Sequence, residues 1–177
     1  METSLLRQFQ REVERQCQFA MIALQDMDEA SANSDGKLFW YSVQGLLVAV
    51  ESISRLLWPQ NQGASEQREA LRKNLGVGDD SPLKPREFVE RFLRYDESLE
   101  QWHESSEHRR FFDSYTEPLD VLAETPPEDR FRGYQLEKHA LLFHSETYEI
   151  APISQAVEEL QSKAEEEMQK PRFDHNV

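Results

Sequence analysis

The sequence predicts a mainly α fold, a bundle of about five helices with a small antiparallel β element before the last helix. Three observations predict it. Apolar residues recur at steps of three and four through most of the chain. One stretch, 37–58, is apolar on several sides, as a central bundle helix must be. The β-formers gather at 130–150, directly ahead of a final amphipathic stretch.

Each element has its own signal. Residues 4–28 read as an amphipathic helix, because Leu6, Phe9, Val13, Cys17, Ala20, Leu24 and Met27 make one stripe. A polar turn, 31–36, leads into the second helix. There Trp40, Val43, Leu47, Val50, Ser54 and Leu57 form the stripe, widened by Leu46, Ile53 and Trp58, and Pro59 stops it. Gly45 lies inside it and would permit close helix packing. A short third helix spans 65–75, with Ser65 as N-cap and Gly76 just past its end. After a loop, Pro85 opens a fourth helix that runs to about His103, with Phe88, Phe92, Tyr95, Leu99 and Trp102 in one stripe. An acidic, proline-punctuated loop follows Phe112. Ala140–Phe143 and Thr147–Ile150 then read as strands, with a turn at Ser145-Glu146. Residues 152–169 close the fold as a helix on Ile153, Val157, Leu160 and Ala164, its distal glutamates 165–167 facing solvent. The 177 residues make one domain over 1–170, long enough to bury a core without staples, and 171–177 fray.

The formal net charge is -14. Residues 111–177 alone hold 6 basic and 15 acidic residues, a net of -9. A free nucleic-acid binder carries a basic patch, and here there are only local clusters: Arg68, Arg72 and Lys73; Arg91 and Arg94; Arg109 and Arg110. Cys17 is the single cysteine, which excludes an internal disulfide, and it falls on a core stripe as a packing residue. The N-terminus has no signal-peptide pattern, and the apolar window from Leu38 to Trp58 is broken by Gln44, Glu51 and Arg55, so no membrane span and a cytoplasmic location are expected.

Little in the sequence has the spacing of a reactive site. His103 and Glu107, and Glu104 and His108, pair on different faces of a helix continued past 103, so no metal site is expected. Asp79-Asp80 and Asp96-Glu97 are adjacent carboxylates that diverge on a helix. No phosphate-cradling glycine loop exists, and no cofactor is expected. Trp40, Trp58 and Trp102 sit on apolar stripes, as core residues rather than a base-stacking platform. Arg132 and His139 have a spacing of interest, yet strand-like surroundings argue against a helical pair.

Three stretches carry a resemblance: Ile53-Ser-Arg-Leu-Leu-Trp58-Pro59; Ser81-Pro82-Leu83 leading to Tyr95-Asp96-Glu97-Ser98-Leu99; and Leu141-Leu-Phe143-His-Ser-Glu146-Thr-Tyr148-Glu-Ile150. Together they resemble bacterial helical proteins of the HEPN type. The resemblance implies a HEPN-like helical bundle and, in catalytic members, an Arg-x4–6-His motif ahead of Tyr-Asp-Glu. A helical Arg and His paired across a dimer cleft can steady a scissile phosphate and help move the 2′-hydroxyl proton. This chain has Val89 and Arg94 at those two positions, so the motif is degenerate.

The first expectation is therefore a non-catalytic or cryptic HEPN-like protein acting through protein contacts, as a homodimer. The alternative is a HEPN-type endoribonuclease with a displaced active site built from Arg91, Arg94 and His103, with RNA as the substrate. A third reading is an acidic, antitoxin-like binder of a protein partner, drawn from the charge of the last third. Arg91, Arg94, Asp96 and Glu97 are the expected binding set. Arg91 and Arg94 are one turn apart and are expected to answer Glu87, Glu90 and Glu97.

Overall fold

α1 (Thr3–Ala32) and α2 (Gly36–Leu57) form an antiparallel pair, joined by a three-residue link. The link is short because Asp35 caps α2, its side chain accepting from the Leu38 N–H at 3.0 Å. The structure, a computed structural model, describes residues 1–117, 120–144 and 146–170. α3 (Gln62–Leu75) follows, then α4 (Glu87–Leu93) and α5 (Tyr95–Ser105), and α6 (Ile150–Gln169) closes the bundle against α1. Among the described residues the fold is mainly helical, with a four-stranded sheet ahead of the last helix.

The stripes face inward as their periodicity requires. Val13, Cys17 and Ala20 of α1, Val43, Leu46, Leu47 and Ile53 of α2, and Val157 and Ala164 of α6 are buried in one cluster. The sheet extends that cluster rather than forming a second one. Tyr134 meets Phe39 with ring centroids 4.8 Å apart, and Phe143 meets Phe92 at 5.5 Å.

The strands are β1 (Tyr115–Glu117), β2 (Arg132–Gln135), β3 (Ala140–Phe143) and β4 (Glu146–Glu149), in that order across the sheet. β3 and β4 form the expected antiparallel pair, with β4 taking in Glu146 of the expected turn, and β2 extends it by pairing antiparallel with β3. β1 was expected as loop and instead pairs parallel with β2, so the sheet is mixed. Three residues leave too little periodicity to read, and the pairing depends on Gly133, opposite Tyr115, leaving room for the tyrosine ring. The turns at His139 and His144 take left-handed φ angles of 47° and 53°. Ser145, half of the expected turn, and the tail 171–177 lie outside the described residues, as does Pro118 of the expected acidic loop.

The helix ends differ from expectation at several points. α3 begins at Gln62, capped by Asn61, whose side chain accepts from the Ala64 N–H at 3.1 Å, so Ser65 is inside the helix. Gly76 ends it with φ 68°, as a left-handed terminator should. Pro85 precedes α4 by two residues rather than opening it. The long fourth helix is two helices, broken at Arg94 (φ -88°, ψ 50°). On either side of the break Phe92 packs on Phe143, 5.5 Å away, and Tyr95 on Phe131, 5.4 Å away. α6 starts at Ile150, directly after β4. Glu167 of its distal part is buried, not exposed, accepting from Asn74 at 2.9 Å and from Lys170 at 2.5 Å. Gly45 is not needed for the approach of α1: a Cβ built on it would meet the Ala23 Cβ at an ordinary 3.7 Å.

Two of the quoted sequence stretches meet at the end of α2. Trp58 Nε1 donates to Asp79 at 2.9 Å, Lys84 pairs with Asp79 at 3.1 Å, and the Ser54 hydroxyl donates to the Lys84 carbonyl at 3.0 Å. Arg72 donates to the Leu57 carbonyl at 2.7 Å, satisfying an acceptor that a helix end leaves open. These groups tie a loop to a helix terminus.

Candidate functional site

The expected site lies where α4, α5 and β4 meet. Its central arginine is already occupied. Both Nη atoms of Arg91 donate to the two carboxylate oxygens of Glu146 on β4, and its Nε donates to the Glu87 carbonyl at 3.2 Å. A bidentate guanidinium–carboxylate pair uses the same fork that would hold a phosphate. Of the acids expected to answer it, none does so with its side chain. The partner is 55 residues away in the chain, beyond what helix spacing can reveal.

Arg94 is exposed and sits at the joint between the two helices. Its nearest acid is Glu97, a loose contact of 3.9 Å. Asp96 and Glu97 are exposed in the first turn of α5, where negative charge suits the positive end of the helix dipole. His103 is exposed in the last turn, where a cation suits the opposite end. Arg94 stands just before α5 and His103 in its last turn, with about 12 Å of helical rise from Tyr95 to His103. The fold therefore keeps Arg94 and His103 apart. Val89, which holds the position of the motif arginine, is 1% exposed and faces the core. A guanidinium there would need desolvation or a different helix rotation.

α5 ends at Ser105, so Glu107 and His108 never join the helix on which their pairing with His103 and Glu104 depended. Arg132 and His139 are likewise separate: Arg132 holds Asp113, and His139 Nδ1 lies 3.0 Å from the Tyr134 hydroxyl.

Three polar groups escaped the sequence reading. Asp129 is 1% exposed, and its Oδ1 accepts from Trp102 Nε1 at 2.7 Å and the Ser106 hydroxyl at 2.6 Å. Burial pushes its pKa up, but those two donors and the Arg110 N–H outweigh it and hold the carboxyl below its ordinary value. Asp113 is similar: burial raises it, and hydrogen bonds from Arg132 bring it below the usual carboxylate range. The Arg132 guanidinium also lies over the Tyr95 ring, 4.2 Å from its centroid. Burial, followed by the Asp113 charge, pushes Tyr95 up to about 12.

The third group is His144. Its ring sits 4.8 Å from Phe131 and 4.5 Å from Phe143, and its buried Nδ1 has no hydrogen-bond partner. Burial lowers its pKa, against the carbonyls of Glu128 and Pro127. It lines a hollow of about 310 Å³ with Ser98, Gln101, Trp102 and Glu128. Ser98, whose hydroxyl donates to the Arg94 carbonyl at 3.4 Å, shares that hollow, and Arg91 is engaged by Glu146. The only advance signal for His144 was its place in the third quoted stretch.

Among the described residues, no group of three His, Cys, Asp or Glu side chains converges as a metal site would require. No helix among them is long and apolar enough to cross a membrane. Comparison with known proteins finds no matching family, no matching curated sequence and no matching solved structure.

Proposed function

We propose that this protein acts through protein contacts, as a HEPN-like bundle that does not cleave RNA. The observation that carries the reading is the Arg91–Glu146 pair. Were Arg91 a phosphate ligand, it would have to leave a bidentate carboxylate, and the second candidate cation, Arg94, is exposed and held only by a loose 3.9 Å contact with Glu97. The groups that remain, Arg94 and His103, stand at opposite ends of α5. Transition-state stabilisation requires donors fixed at one reacting centre, and these are not.

Purified protein incubated with single-stranded and structured RNA is expected to leave both intact. Cleavage that disappears in Arg94→Ala or Arg91→Ala would overturn the reading and restore the displaced ribonuclease site.

The acidic, antitoxin-like alternative is favoured by one feature, the outer face of α6. Glu158, Glu159, Glu165 and Glu166 are exposed along it. Much of that charge is already engaged locally: Gln155 donates to Glu159 at 2.9 Å and Gln161 to Glu165 at 3.1 Å. A solvated helix face accounts for these residues, so contact through an apolar surface is the stronger reading.

A further inference from the structure

The core-facing stripes of α1 and α2 leave their opposite sides to solvent, and those sides are not uniformly polar. Phe19 and Ile22 of α1 and Tyr41 and Val48 of α2 are 50%, 56%, 74% and 46% exposed. All four line one open groove of about 470 Å³ between the helices, and no residue of α4 or α5 contributes to it. The apolar residues sit within a longer pattern. On α1 the series is Arg15, Phe19, Ile22, Asp26 and Glu29, and on α2 it is Lys37, Tyr41, Gln44, Val48 and Glu51, all exposed except the half-buried Asp26 and Glu51. Both series step by four, three, four and three, the spacing of a helix face that packs against another helix. Each has apolar residues toward the middle and charge at the ends.

We propose that this face joins two copies of the chain about a two-fold axis. The axis lies in the plane of the face and crosses both helices where Ala23 stands beside Gly45. The charges argue for a second copy rather than another partner. From that midpoint, at 1.5 Å per residue, Glu29 lies about 9 Å to one side and Arg15 about 12 Å to the other. On α2, Lys37 lies about 12 Å to one side and Glu51 about 9 Å to the other. The rotation lays α1 antiparallel on the partner's α1 and α2 on the partner's α2. Glu29 then meets the partner's Arg15, Lys37 meets the partner's Glu51, and Tyr41 meets the partner's Val48. Self-complementarity of this kind is what an isologous interface demands.

The Arg15–Glu12 pair at 2.9 Å is exposed and single-pronged, unlike the two-pronged Arg91–Glu146 pair, so exchanging it for a contact across the interface costs little; Glu51, 16% exposed, keeps Arg55 at 2.5 Å and gains the partner's Lys37 as a second cation. The face spans about 21 Å along each helix and two helix diameters in width. One opposition is unfavourable: Phe19 comes level with the partner's Asp26.

The interface rests on the contact-based reading and deepens it by naming the face and the partner. It differs from the shared Arg–His groove that the HEPN resemblance implies, because Arg91 and Arg94 stay outside it.

Sedimentation velocity between about 1 and 200 µM tests it. The wild type is expected to pass from monomer to dimer within that range. Ile22→Glu and Val48→Glu place carboxylates on positions exposed in the monomer. Each should weaken association roughly 50-fold with the circular dichroism and dilute melting point unchanged. Asp26→Leu should tighten it about fivefold. Glu29→Arg should weaken it, and adding Arg15→Glu in the same chain should restore it. A wild type that stays monomeric throughout, or a dimer indifferent to Ile22→Glu and Val48→Glu together, would overturn the proposal. Either result leaves contact with a different protein standing. RNA cleavage would remove the contact-based reading without touching the oligomer.

Discussion

Asp129 has more consequence for this fold than any of the residues that its sequence advertised. It is a carboxylate inside the protein, and it accepts from the half-buried Trp102 indole and the buried Ser106 hydroxyl. Asp129→Ala would strand both donors, at a cost of about 2–4 kcal/mol. The melting temperature should fall, and Trp102 fluorescence should change before global unfolding, while Asp129→Asn, which keeps an acceptor, should fall less. An unchanged melting temperature in the alanine variant would show that the buried acid is dispensable. Nothing in the local sequence Pro127-Glu128-Asp129 distinguishes Asp129 from its exposed neighbour. Its partners are 23 and 27 residues away, so only the fold identifies it. Cys17 is the reverse case. Its place on the α1 stripe announced its burial, and burial, then the Glu14 charge, pushes its thiol up to about 12.

At the scale of elements, helical periodicity was legible and helix termini were not. The stripes of α1, α2 and α6 put their apolar residues where the structure buries them, because 3.6 residues per turn fixes which side chains share a face. The break at Arg94 was invisible for the same reason: Phe88, Phe92, Tyr95, Leu99 and Trp102 satisfy one continuous stripe. Past the break Tyr95 packs on Phe131, and Leu99 is 38% exposed. The parallel strand β1 makes a sharper test. A Cβ on Gly133 would come within 2.4–2.7 Å of the Tyr115 ring. Gly133→Ala must therefore displace that ring or separate the strands, costing about 1–3 kcal/mol by overpacking. Thermal denaturation of Gly133→Ala should show that loss, and Tyr115→Leu in the same chain should recover part of it. If Gly133→Ala melts as the wild type does, the close approach of β1 to β2 is not a constraint.

The whole molecule carries a net charge of -14, yet its acid sensitivity should be set by a few paired carboxylates. Asp129, Asp113 and Glu167 all have pKa values held below their ordinary ones. Each binds its proton less readily folded than unfolded. The stability they contribute is complete above the ordinary carboxylate range and is lost as the pH falls through that range toward the lower folded values. The melting temperature should stay level from about pH 7 to 5 and drop below about pH 4. Asp113→Asn should make the drop shallower. A melting temperature that instead climbed steadily on acidification would mean that relief of self-repulsion outweighs these three groups.

Sequence alone determined the helical class, the inward face of the main helices and the short strands ahead of the last one, because local periodicity and turn chemistry act over a few residues. What it left open depends on which distant side chains meet. Glu146 takes Arg91, Trp102 and Ser106 take Asp129, and Gly133 admits Tyr115. Each is a meeting between elements that chain folding brings together in space, and whether a guanidinium is free or engaged depends on those meetings.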